Sequence, residues 1–250
     1  MTTPLHFYWR AARAPRYSLL FALPLLLAYE AMAALLAAGR ETAVRNGADV
    51  LLKSAFIALA GEWGPRVFEV CLIGTGVWLV ARDMKRHGTR LSIAVFAGMV
   101  AEVVVLALAF GVVVGGLTSR LLAPLAPLAP LAIGPADALP VATRLMVSLG
   151  AGLYEELLFR VVLVALLAFA ARRLLGWRPV PAAAAATIAG ALLFSTFHYL
   201  GPYGDPLALY SFLYRMLAGV FFSALYLGRG FGITAWTHAL YDVLVLVVGW

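Results

Sequence analysis

Seven apolar runs set the limits on what this chain can fold into. They cover approximately residues 17–38, 66–81, 91–117, 141–171, 181–200, 207–227 and 231–249. A helix needs roughly 20 apolar residues to cross a bilayer, and about 17 at the short end. Backbone polar groups cannot stay unpaired in lipid, so runs of this length must be helices. The expected fold is therefore all-α: a polytopic transmembrane helix bundle with about seven spans. An eighth stretch, residues 49–60, is too short to span and reads as an interfacial or re-entrant helix. Hydrophobic residues make up 64% of the chain and charged ones 12%. Soluble domains average about 45–50% and about 25%, which removes a soluble globular reading.

The net charge of +7 sits between the runs rather than along them. Arg10, Arg13 and Arg16 precede the first. Arg82, Lys85, Arg86 and Arg90 follow the second, Arg172, Arg173 and Arg178 follow the fourth, and Arg229 lies in a tight turn after the sixth. Counting seven spans places all four groups on one side, which the positive-inside rule makes cytoplasmic. The short stretch, counted as a span, would split them. The expectation is an integral protein of a bacterial inner membrane, N-terminus inside and C-terminus outside, with lipid and not nucleic acid as partner. Cys71 is the sole cysteine, which excludes an internal disulfide or a cysteine metal cluster. No cleavable signal peptide is expected. "LLAPLAPLAPLAIGPADALP", residues 121–140, has too many prolines for a continuous helix. It reads as an extended outer connection or a broken interfacial helix. It divides one integral unit into residues 1–140, with the N-terminal helices, and 141–250, with the motifs below.

Ionisable residues inside spans are expensive to hold and mark function by default. Glu30, Glu69, Glu102, Arg144 and Arg215 are scattered singles, for which an opposite charge elsewhere in the bundle is the expected partner. A second group concentrates in the C-terminal half. In "GLYEELLFR", Glu156 and Arg160 are four residues apart and share a helix face, so they can neutralise each other. Glu155 lies one step round, beside Gly152 and Phe159, and is left to point elsewhere. A purely structural ion-pair cluster would look the same on this helix. "FSTFHYLG" places Phe194 and His198 on one face, and "THALYDVLV" does so for His238 and Asp242. Either histidine alone could be a satisfied interior residue. Together, carboxylates and histidines on three apolar helices can converge to activate water or to ligate zinc. The zincin signature His-Glu-x-x-His is absent. So is a Gly-x-Ser-x-Gly elbow, and Ser195, Ser211 and Ser223 lack a nucleophile setting.

These three motifs, in this order, resemble the CPBP family: the CAAX proteases and bacteriocin-processing enzymes, also called the Abi family, which include the Ras and a-factor converting enzyme. The resemblance spans roughly residues 141–249 and implies an intramembrane glutamate-type endopeptidase. It implies Glu155 as general base on the attacking water, His198 as its partner on that water, and His238 with Asp242 as the oxyanion-stabilising side. Glu156, Arg160 and Phe194 would be support. It implies no cofactor, with zinc kept as an alternative, and a protein or peptide substrate that is lipid-modified or exported. The eukaryotic converting enzymes carry asparagine where this chain has Asp242. An ionised aspartate is a poor oxyanion donor, so Asp242 would act protonated or by orienting His238. Glu155 and His238 fall well inside their runs and His198 near the outer end of its own, so with this topology the site lies between midplane and outer half, at odds with the cytoplasm-facing site expected of a converting enzyme; either the span bounds slip, the topology is reversed, or the substrate arrives from the other side. A catalytically idle scaffold or immunity-type partner, and a transporter with charges along its path, are the readings from other classes.

Overall fold

The computed structural model describes residues 4–38, 44–124, 139–201 and 204–248, and among them every regular element is helical. All seven apolar runs form helices. The proline-rich connection falls almost wholly on residues 125–138, outside the described residues.

A short amphipathic helix, α1 (Pro4–Arg13), leads into α2 (Pro15–Ala37), whose proline sits in the first turn, where no N–H bond is lost. Then come α3 (Gly47–Ala60), α4 (Gly64–His87) and α5 (Ile93–Leu122). The fourth run begins as α6 (Val141–Gly150), passes through π-helical stretches at Ala151–Glu155 and Leu157–Val164, and ends as α7 (Ala165–Leu174). Two further helices, α8 (Pro179–Phe197) and α9 (Leu209–Arg229), precede α10 (Phe231–Val243), which continues into a π turn at Leu244–Val248. By length and composition α2, α5, α8 and α9 can each cross a membrane, and Phe231–Val247 is a shorter apolar helix. The remaining two runs depart from a simple span: α4 carries charge at both ends, and the fourth run is π-wound through its middle. The 14-residue α3 is too short to span and packs against α4.

The centre of the bundle is α10, which packs on α2, α5, α6 and α9. Its buried positions are mostly small, including Gly232, Thr234, Ala235 and Ala239. Small residues let membrane helices approach to backbone distance, since lipid supplies no hydrophobic drive between them. A side chain on Gly232 would land on the Ser18 carbonyl of α2, and one on Gly152 on the Ala235 carbonyl of α10. Aromatic packing fills the other side of α10, where Phe110 contacts Phe221, Phe222 and Tyr241.

Four of the five scattered charges pair as expected. Glu30 takes Arg45 at 3.2 Å and Lys53 at 3.1 Å, and Glu69 takes Lys53 at 3.2 Å. Arg215 pairs with Asp205. Glu102 accepts both arms of Arg229, at 2.5 and 2.6 Å, and the Tyr8 hydroxyl of α1. Arg144 instead donates to the Leu246 carbonyl at 2.7 Å. Read from sequence as a topology signal in a turn, Arg229 is in fact buried, forked on Glu102 and stacked on Trp9. The α9–α10 turn is thereby drawn into the bundle.

Gly152→Val should force α10 away from the fourth helical run. Overpacking of this kind costs about 1–3 kcal/mol, read as a lower thermal unfolding midpoint of the purified protein in detergent.

Candidate active site

The site begins where α6 changes winding. A π turn takes more residues per revolution than an α turn, so neighbouring residues are rotated by less about the axis, and such turns are frequent at functional sites. The sequence expectation used the α-helical 100° per residue, with Glu156 paired to Arg160 and Glu155 left free to point into a cavity. Both side chains lie in the interior, Glu155 at 6% exposure and Glu156 fully buried. Gly150, just before this stretch, and Gly152, within it, let it approach Tyr29 of α2 on one side and α10 on the other.

Glu156 and Arg160 form the expected pair, Oε1 to Nη1 at 3.2 Å. Glu156 has a second partner: His238 Nδ1 lies 2.7 Å from the same Oε1. An ionised carboxylate can only accept, so Nδ1 carries the hydrogen. His238 Nε2 then faces Asp242 Oδ2 at 3.6 Å. The imidazole stacks on Phe222 at 4.5 Å between centroids, and the Arg160 guanidinium sits over Phe194 at 4.4 Å and Phe222 at 5.5 Å. One arginine thus neutralises Glu156 and packs both rings that hold the histidines.

Glu155 is not left alone. Its Oε1 accepts from Asn46 Nδ2 at 2.9 Å, and its Oε2 faces His198 Nε2 at 3.8 Å. His198 Nδ1 lies 2.8 Å from the Phe194 carbonyl. A carbonyl only accepts, so Nδ1 is the donor, and in neutral His198 the Nε2 lone pair faces the carboxylate. Two acceptors across 3.8 Å, one of them a buried oxygen without a hydrogen-bond partner, fit a donor of two hydrogens held between them. Phe194 supports His198 through its carbonyl and through its ring, edge-on at 4.8 Å.

The three motif residues reach one level through the lengths of their helices. Glu155 lies about 19 residues before the end of α7, and His198 about 19 after the start of α8. Each is therefore a similar number of residues from the short connection joining those helices. The fourth helical run simply outlasts α8, so a residue in its middle is level with α8's end. His238 reaches the same level because Arg229, seated on Glu102, starts α10 inside the bundle. The three motifs therefore meet at the end of α8 remote from the basic turn at Arg172, Arg173 and Arg178.

Asn46 was missed in the sequence. An asparagine before an apolar helix reads as an N-cap, and it is one: Oδ1 accepts from Ala48 N at 2.9 Å. Nothing local indicates that its amide also reaches a glutamate 109 residues away. Among the described residues no group of three or more His, Cys, Asp or Glu side chains is arranged to hold a metal ion.

Arg160→Met should leave Glu156 buried with half its compensation. Removing one partner of a buried pair costs roughly 3–5 kcal/mol, which denaturant unfolding monitored by intrinsic fluorescence would detect.

Residues 137–244 match the family model described as Rce1-like, type II CAAX prenyl endopeptidase. No curated protein and no solved structure matches the chain. The match covers the fourth helical run, α8, α9 and α10, the elements that carry Glu155, His198 and His238. Over this segment the chain is similar to the Rce1-like type II CAAX prenyl endopeptidases, a family of proteases, and its apolar helices are those of an integral membrane protein.

Proposed function

We propose that this protein is an intramembrane endopeptidase in which Glu155 activates water to hydrolyse a peptide bond of a membrane-associated or exported protein. The observation that carries this reading is the facing of Glu155 Oε2 and His198 Nε2 at 3.8 Å, each on a side chain whose other polar atom is already engaged. A water donating to both, with hydrogen bonds of about 2.8 Å, fits that separation.

In the reaction Glu155 takes one proton as the water oxygen adds to the scissile carbonyl carbon. The carbonyl oxygen gains the negative charge. His238 stands across the site with Nδ1 fixed on Glu156, and when protonated on both nitrogens it presents Nε2–H to that oxyanion. Asp242, beside Nε2, orients the ring and favours the imidazolium. Collapse breaks the C–N bond, and Glu155 passes its proton to the leaving amine, which leaves an amine and a carboxylic acid. Burial makes each of these interactions stronger than in water.

The chemistry needs only these side chains and water, so the activity is metal-independent. The positive-inside rule, applied to the basic turns, puts the site toward the outer half of the membrane. That favours substrates presented from the exported side.

Comparison of protein termini in cells carrying wild type and Glu155→Gln should reveal a product terminus that disappears in the variant, and also in His198→Ala and His238→Ala. Persistence of that terminus in Glu155→Gln would overturn the reading. With the same substrate and purified protein, a strong chelator should leave the rate unchanged; loss of activity restored by zinc would favour the metal mechanism instead.

A further inference from the structure

We infer that Asn46, outside the family-matched segment, is a positioning residue for the reaction: its amide fixes Glu155 so that one carboxylate oxygen is held and the other stays free for water. This rests on the proposed role of Glu155.

The argument starts from the orientation of the amide. Asn46 Oδ1 accepts from Ala48 N at 2.9 Å, capping α3. The cap requires an acceptor there, so the NH2 group must point the other way, toward Glu155 Oε1 at 2.9 Å. The side chain cannot flip without losing both bonds. The backbone is fixed as well: Asn46 N donates to the Tyr29 hydroxyl at 3.2 Å, and that hydroxyl donates to Asp49 Oδ2 at 2.8 Å. Asp49 is in turn paired with Arg45 and Lys53, both at 2.9 Å. Lys53 ties this turn to Glu30 of α2 and Glu69 of α4. Tyr29 stacks edge-on against Tyr154, the residue before Glu155, at 5.2 Å, and Tyr154 donates to Glu30 at 2.7 Å. The first turn of α3 is thus clamped by charge on α2 and α4 and pressed against the π turn that presents Glu155.

Two carboxylate oxygens that rotate freely would compete for the water. A single donor on Oε1 distinguishes them and sets the plane of the carboxylate. Misplacement of a reacting group by about 1 Å can cost on the order of a hundredfold in rate.

Asn46→Ser and Asn46→Thr test this, because serine and threonine also cap helices but, with the hydroxyl committed to the cap, neither reaches Glu155 as the longer amide does. The first readout needs no substrate. Infrared spectra of the purified full chain in detergent, labelled with carbon-13 glutamate, give the Glu155 carboxylate band by difference against Glu155→Gln. That band should move in both variants while the thermal midpoint stays near wild type. A band unmoved in Asn46→Ser and Asn46→Thr would overturn the inference. The second readout is cleavage of a farnesylated peptide ending in cysteine, two aliphatic residues and a terminal residue, or of a peptide from the substrate found by terminus comparison. There kcat should fall about tenfold to a hundredfold with KM little changed; unchanged kcat would overturn the inference. Full activity in Glu155→Gln would instead count against the catalytic reading and leave the infrared result to stand by itself.

Discussion

Two adjacent carboxylates in an apolar helix must each be compensated, because unpaired charge in a low-dielectric interior costs several kcal/mol. Much of the bundle around Glu155 and Glu156 answers that requirement. Glu156 is met by Arg160 from its own helix and His238 from α10. Glu155 is met by Asn46 from the start of α3 and His198 from the end of α8. Each of these elements needs a route to the same point, and the arrangement of glycines, proline-started helices and buried ion pairs supplies it.

The compensation is unequal, and the proposed chemistry rests on the inequality. Glu156 is tied by a cation and a histidine within an aromatic cage, so it is a fixed anion that orients His238. Glu155 has one firm donor and a histidine at a longer distance, so one of its oxygens remains available. The two glutamates differ by one residue in sequence and by their entire surroundings in space. The π winding makes that difference accessible, since it lets neighbouring side chains both turn inward toward different helices.

A second set of charges acts at a distance from this point. Glu30, Arg45, Asp49, Lys53 and Glu69 bind α3 across α2 and α4. Tyr8, Glu102 and Arg229 draw the α9–α10 turn inward. Neither set touches the two facing acceptors. They set the height and lateral position of Asn46 and His238, so the N-terminal helices serve the site without bearing any of its three motifs.

The hydropathy pattern alone determined that the chain is a helical membrane bundle, because a bilayer allows no other use for runs of that length. Four-residue spacing was enough to pair Glu156 with Arg160, since a helix brings such residues together whatever surrounds it. The three-motif order was enough to name Glu155, His198 and His238 as candidates. The role of Arg229, the donor on Glu155 and the common depth of the motifs were decided only by tertiary structure. Each depends on contacts between residues about a hundred or more positions apart, or on one helix outlasting its neighbour. Periodicity records which way a residue faces on its own helix; what it meets there is fixed by how the helices pack.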